Sequence, residues 1–449
     1  MNPQELLKRY ASGQRDFNRA SLSNAELINV DLSGINLARA DLEWVNLSGT
    51  KLNNANLSGA ELINAILIKT DLSQANLTGV NLSRTDLSWA NLSYTNLSRS
   101  ELSEATLRGA NLQGADLSRV DLAEADLRGL GFNQVNLRGA NLQGANLHNT
   151  EMVQADLGRV DLIEADLSNA NLSGANLSGA NLSRANLANA NLSGADLSRV
   201  DLTEVKLSEA NLTKANLSGA ELGKADLSAL ELCDVNLSGA NLSGANLANT
   251  NLSRADLSGA NLRGVNLSRA KLVGTNLRGA NLVGANLTGA TLDGADLSQA
   301  DMRSANLSGL LLNGVILRGA NLSGANLREI ELNQANLSRA DLIEANLSRA
   351  KMAGVNLSRA TLSEANMSRA TLSGATLSRV TLSGDTIGKV DLSGVNLSGA
   401  DLGDAQLLGA NLSRADLTRV NLTAADLSSS NLSEVDLRGT IMPDGRRRN

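Results

Sequence analysis

Residues 170–189 read Ala-Asn-Leu-Ser-Gly, Ala-Asn-Leu-Ser-Gly, Ala-Asn-Leu-Ser-Arg, Ala-Asn-Leu-Ala-Asn, four five-residue phrases with leucine at the centre of each. Outward from this stretch the phase never slips. From Phe17 to Met442 every fifth residue is large and apolar, and only Phe17, Phe132, Met152, Met302, Met352, Met367, Ile387 and Met442 are not Leu. A small residue stands two positions before each centre, usually Ala and sometimes Val or Thr. Asn or Asp lies between them, and Ser followed by Gly, Arg or Glu commonly comes after.

A period of five fits neither regular element. On an α-helix five residues advance about 500°, which would carry the leucines around every side. On a long strand an odd period would alternate them between faces. The pattern closes if each pentad is a short extended piece, small residue and Leu inward with Asn/Asp outward, followed by a two-residue corner. Repeated corners wind the chain into a solenoid with a leucine core.

The number of sides is set by slower features. Acid-Leu-x-Glu occurs at Glu101–Glu104, Asp121–Glu124, Asp161–Glu164, Asp201–Glu204 and Asp341–Glu344, always at multiples of twenty. Arg119, Arg159, Arg199, Arg339, Arg359, Arg379 and Arg419 keep the same spacing, as do the oversized inward residues Leu130, Leu230, Leu310 and Ile330. A lap of twenty residues has four pentads and four sides. About 21 laps, stacked at roughly 4.8 Å, would make a rod on the order of 100 Å long.

The Ala-Asn-Leu-Ser-Gly phrases at 170–174 and 175–179 resemble the consensus of the pentapeptide-repeat proteins, and the resemblance covers residues 16–442. It implies an all-β solenoid, a right-handed quadrilateral β-helix, and a bacterial source, the family being abundant in cyanobacteria. The expected organisation is a capping helix in 1–15, the β-helix over 16–442 and a basic tail at 443–449. Asn2-Pro3-Gln4-Glu5 reads as a helix start and Gly13 as its stop, so residues 3–12 should cover the first lap with Leu6, Leu7, Tyr10 and Ala11. At the other end Met442-Pro443-Asp444-Gly445 runs into three Arg. Either the tail blunts the strand edge there or two copies associate end to end at the last coil.

Composition narrows the chemistry. The 449 residues include two Phe, two Trp, two Tyr, one Cys and one His. That inventory leaves no disulfide framework, Cys/His metal site or His-based triad. His148 and Cys233 both fall in outward slots, and a convex rod without pockets offers no cleft to perturb a carboxylate. Calcium-binding glycine-aspartate repeats are absent. No enzyme activity, cofactor or metal is expected. Net charge is −6, which does not mark a nucleic-acid binder. No segment reads as a signal peptide, a membrane span or a membrane anchor, so the default is a cytoplasmic protein. Asp385 alone puts a charge into an inward slot, where neutral donors should satisfy it or the lap should open.

Sorting outward charges by wall is more informative. The walls centred on Phe17, Leu22, Leu27 and Leu32, each continued every twenty residues, carry 14 basic and 8 acidic residues, 5 and 19, 9 and 8, and 6 and 9. The second wall is acidic at Asp41, Glu43, Glu61, Glu101, Glu104, Asp121, Glu124, Asp161, Glu164, Asp201, Glu204 and Glu221, and again from Asp341 to Asp404. Descent by twenty-residue duplication would segregate charge in this way without selection for binding. Ile28, Trp44, Ile63, Ile66, Ile68, Trp89 and Tyr94 occupy outward or corner slots near the N-terminal end, where exposed aromatics resemble an interaction hot spot. The alternative is that the N-terminal helix covers them.

These features favour a non-enzymatic scaffold or regulatory protein that binds a protein partner through Glu101, Glu104, Asp121, Glu124, Asp161, Glu164, Asp201 and Glu204, together with Trp44, Ile66, Ile68, Trp89 and Tyr94. The alternative function comes from the quinolone-resistance branch that the repeat resembles, whose acidic rods imitate DNA and bind gyrase. One net charge per ~7 Å is sparse beside the one per ~1.7 Å of duplex DNA. Ice binding is disfavoured by sparse outward Thr and abundant charge.

Overall fold

The computed structural model describes residues 1–382 and 390–448. Its contacts divide into two units, Met1–Glu221 and Leu222–Asn449, and both wind by the same rule. Asp385 and Ile387 lie outside the described residues.

One pentad, Asn36–Ala40, shows why each residue type sits where it does. The Leu37 N–H donates to the Asn56 carbonyl at 2.7 Å, and the Asn56 N–H donates to the Ile35 carbonyl at 2.9 Å, so residue 36 pairs in parallel with residue 56. After Leu37 the chain turns, and the Ala40 N–H donates back to the Leu37 carbonyl at 3.0 Å. Arg39, third in that turn, has φ of 55°, the signature of a type II turn. This corner explains the fifth-position preference for Gly, with non-glycine residues accepting the left-handed region where they occur. The Asn36 side chain works in both directions. Its Oδ1 accepts the Ala38 N–H at 3.1 Å, an Asx turn that opens the corner, and its amide donates to Asp16 in the preceding lap at 2.9 Å.

Bridges in the first unit join residues twenty apart, as in Asn36↔Asn56, Asn56↔Asn76 and Asn76↔Asn96. In the second unit Asn241↔Asn261, Asn261↔Asn281 and Asn281↔Asp301 follow suit. Each lap therefore has four walls, and the strand on each wall is so short that only its Asn/Asp position bridges. Leu37, Leu57, Leu77 and Leu97 are fully buried in one column, and Ala40 and Ala60 are fully buried where the backbone approaches the core. Polar residues in the small inward slot remain satisfied: Thr70 and Ser100 hydroxyls donate to Leu47 and Leu77 carbonyls at 2.9 and 2.8 Å. The oversized Leu130, Leu230, Leu310 and Ile330 are accommodated inside as well.

Helix α1 (Pro3–Ala11) precedes the first lap. The Asn2 side chain accepts the Glu5 N–H at 2.8 Å, and Gly13, at φ 96°, donates its N–H to the Tyr10 carbonyl at 3.0 Å. Leu6 is buried, Leu7 and Tyr10 are half-buried, and Ala11 is exposed. Ala11 thus takes no part in covering the lap, because it faces away from Leu6 on the helix surface. The Tyr10 hydroxyl ties the helix down by donating to the Ser33 carbonyl at 2.8 Å, and the Met1 ammonium donates to the Ser21 carbonyl at 3.1 Å.

At the other end the tail folds back on the last coil. The tail reverses at Asp444-Gly445 and pairs antiparallel, Ile441 with Arg447. The Met442 N–H donates to the Arg446 carbonyl at 2.8 Å and the Gly439 N–H to the Arg448 carbonyl at 2.7 Å. The strand edge on that wall is occupied by the chain's own tail. Leu427, Leu432 and Leu437 in the same coil are half-buried.

Candidate functional site

On the acidic wall of the first unit the strand positions form one ladder, with the bridges Glu101↔Asp121, Asp121↔Asn141, Asn141↔Asp161, Asn181↔Asp201 and Asp201↔Glu221 among its rungs. Glu104, Glu124, Glu164 and Glu204 occupy the corner of the same wall and are all exposed. Asp121, Asp161 and Asp201 are half-exposed, Glu101 fully so. The sequence-predicted acidic residues are thus brought together.

Their charge is tempered from within. Asn141 separates Asp121 from Asp161 and donates its amide to Asp121 at 2.9 Å. Arg84 pairs with Glu104 and Arg184 with Glu164, each at 3.2 Å and each one rung away. These pairs were legible once the lap was known, since both arginines stand twenty residues from their partners. The pairs are more than half exposed, so each contributes little to stability. Burial raises the Asp201 carboxyl pKa, but the Thr203 hydroxyl and N–H together with Ser183 outweigh it and hold the group below its usual value. Glu101, Asp121, Glu124 and Asp161 have no cationic side chain paired to them among the described residues.

The exposed apolar residues lie in the same unit but are not brought together: by the twenty-residue lap Trp44 shares the corner of the acidic wall, while Trp89 and Tyr94 stand at the next two corners. Trp44, Trp89 and Tyr94 are 58, 58 and 61% exposed, and Ile28 and Ile66 are exposed too, whereas Ile63 and Ile68 are half-buried. The aromatics take the left-handed corner position, with φ of 60, 63 and 58°. A Cβ on Gly109 would stand 2.5 Å from the Trp89 ring, and one on Gly114 would stand 2.7 Å from Tyr94. The Trp89 and Tyr94 rings therefore lie against a glycine in the next lap. Helix α1 packs elsewhere, with Tyr10 held at Ser33.

The one histidine and the one cysteine are both half-buried. His148 Nδ1 lies 2.8 Å from the Ser168 hydroxyl. Burial, then the Glu231 carboxylate, push the Cys233 thiol pKa up, the opposite of an activated nucleophile. Among the described residues no group of three or more His, Cys, Asp or Glu could hold a metal ion. The walls are less featureless than the sequence implied. Open grooves of about 830 and 880 Å³ run beside arginine rows on the wall next to the acidic one. The sequence reading missed them because it treated arginines as a charge tally.

A twenty-residue parallel lap built from Ala-Asn-Leu-Ser-Gly phrases is matched by the family described as Pentapeptide repeats, in overlapping segments running from 16–54 to 405–443. The chain belongs to the pentapeptide-repeat family. That membership carries the right-handed quadrilateral β-helix. No curated protein matches this pentapeptide-repeat chain. Among solved structures it is similar to HetL from the cyanobacterium Nostoc sp. strain PCC 7120, a pentapeptide repeat protein involved in heterocyst differentiation regulation. The identity there is 33% over 67% of this chain and 97% of HetL, with a TM-score of 0.29. It is 38% identical to alr5209, a pentapeptide repeat protein from Nostoc PCC 7120, over 27% of this chain and 80% of that one, with a TM-score of 0.16. The plasmid-mediated fluoroquinolone resistance protein QnrB1 is 20% identical over 46% of this chain and 89% of its own, with a TM-score of 0.22. All three scores lie under 0.5, and each name describes its own protein. No helix among the described residues is long and apolar enough to cross a membrane.

Proposed function

We propose that this pentapeptide-repeat protein is a non-enzymatic scaffold or regulatory protein of the bacterial cytoplasm. It binds a protein partner on the first unit, through the acidic ladder from Glu101 to Glu204 and the aromatic corner residues. The finer layout in this reading is about 21 coils closed at one end by α1.

The observation that carries the proposal is the exposure of Trp44, Trp89 and Tyr94, each more than half exposed, in slots that Gly, Asn and Arg fill elsewhere. Bulky residues in the left-handed region cost free energy that Gly would not, and large exposed aromatics are typical anchors of protein interfaces. The partner's matching chemistry is basic side chains together with apolar ones, since Glu101, Asp121 and Glu124 on the same unit carry charge that no cation of this chain pairs with among the described residues.

The test is affinity capture from the source organism's lysate with quantitative mass spectrometry. Trp89→Ser/Tyr94→Ser and Glu104→Gln/Glu124→Gln variants should lose the same protein, with circular dichroism unchanged. Capture that persists in both variants refutes the surface. A gyrase supercoiling assay separates this reading from DNA imitation, and no effect at micromolar protein is expected.

A further inference from the structure

The groove in the first unit is an unassigned site with a definite chemistry. Arg99, Arg119 and Arg159 stand at one corner on successive or alternate rungs, and Arg138 adds a fourth guanidinium from the intervening rung, in the same turn as Gly139. Gly139 leaves the corner position between Arg119 and Arg159 without a side chain, and the Arg119 stem leans across it, its Cγ 3.7 Å from where a Cβ would be. Thr78, Ser98 and Ser118 line the floor. None of the four arginines makes an ion pair among the described residues. On the same wall Asp116 and Asp156 accept Asn136 and Asn176 amides at 2.8 Å, while Glu101, Asp121 and Asp161, two residues beyond the arginines, belong to the adjoining acidic wall and make no ion pair with them among the described residues. Four cations therefore face solvent within three rungs, roughly 14 Å.

The second unit repeats the arrangement. Arg359, Arg379, Gly399 and Arg419 reproduce the order Arg, Arg, Gly, Arg at the same position of the twenty-residue lap, with Ser378, Ser398 and Thr418 in the lining. Arg438 joins them but is paired with Asp436 at 2.6 Å, and Asp416 lies in the lining. The second groove is the less cationic of the two.

The geometry points to an oxyanion site in each groove that takes a linear oligophosphate, with the first groove the tighter. Guanidinium forks bind phosphate oxygens two at a time. The rungs are ~4.8 Å apart, so a ligand must carry charge more densely than an extended acidic peptide, whose same-side carboxylates step ~6.8 Å. No aromatic or aliphatic side chain lines either groove, so recognition rests on the guanidinium groups and the hydroxyls. The phosphate chain itself is what is recognised, whether free or as the tail of a nucleoside triphosphate. This site stands independently of the proposed protein interface, which uses other residues.

Isothermal titration of the full chain with sodium tripolyphosphate at low ionic strength should show saturable binding at two sites, with orthophosphate at least tenfold weaker. Arg99→Gln/Arg119→Gln/Arg159→Gln should abolish the tighter site, and Arg359→Gln/Arg379→Gln/Arg419→Gln the weaker. Gln takes the same left-handed turn position at another corner, in Gln74, Gln134 and Gln154 with φ of 59, 60 and 56°, so the variants keep the coil, and an unchanged urea midpoint verifies it. ATP should bind as tripolyphosphate does. Three outcomes overturn the assignment: no saturable binding, equal weakening by Arg184→Gln/Arg254→Gln/Arg269→Gln, which would show general attraction only, or displacement by oligoglutamate at equal charge.

Discussion

Replacing Leu242 by Ala tests the energetic basis of the coil. Leu242 is fully buried in the second unit, in a column with Leu222 and Leu262, which are themselves buried. The rungs on either side cannot slide inward to fill the space. The Asn241↔Asn261 bridge fixes the wall, and the Leu242 N–H donates to the Asn261 carbonyl at 2.8 Å. Loss of transfer free energy and a retained cavity together predict a cost of about 2–5 kcal/mol. The rigid rungs place it in the upper half of that range. Because each lap contacts only its neighbours, the damage should start locally. Urea denaturation followed by circular dichroism would read the overall loss, and native-state hydrogen exchange would show faster opening of the 241–261 amides than of distant laps. A loss below about 1 kcal/mol, or uniform acceleration along the chain, would refute a core held by individually packed leucine columns.

Gly109→Ala should displace the Trp89 indole and cost about 1–2 kcal/mol through its left-handed backbone; in a Trp44→Phe background, Trp89 fluorescence should shift as the ring leaves its glycine. Thr70→Val removes the hydroxyl bonded to the Leu47 carbonyl and should cost roughly 1 kcal/mol, read as a lower urea midpoint. The Asp41 carboxyl is held below its usual value by the Ser23 hydroxyl above all, that of Asp226 by the Ser228 hydroxyl and N–H, and that of Asp126 chiefly by the Arg128 guanidinium. Folded values under the unfolded ones mean stability that is present above about pH 4 and lost as pH falls through the folded values. Asp41→Asn should make the urea midpoint less sensitive to pH in that range.

Much of this was legible from the chain because the repeat does the same thing in every lap. The leucine phase fixed what is inside, and the twenty-residue recurrence of Arg119, Arg159 and Arg199 with Glu124, Glu164 and Glu204 fixed the number of walls. Asn2, Pro3 and Glu5 announced α1, since caps are local. What escaped was side-chain reach between laps and structure outside the period. Arg84 meeting Glu104, Trp89 lying against Gly109 and the Arg119 stem crossing Gly139 all depend on which way a long side chain leans. The tail's reversal at Asp444-Gly445 had a turn signal, but its antiparallel pairing has no counterpart in the parallel laps that precede it.

The claim on which everything rests is that residues twenty apart are neighbours across a rung. In a Cys233→Ser background, Glu101→Cys/Asp121→Cys places two thiols at bridged positions, about 4.8 Å apart and within disulfide reach. Mild oxidation should close an intramolecular disulfide there, and Glu101→Cys paired with Asp116→Cys or Asp126→Cys should form none. A bond closing at a spacing of fifteen or twenty-five residues, and not at twenty, would contradict the four-walled lap and every surface built on it.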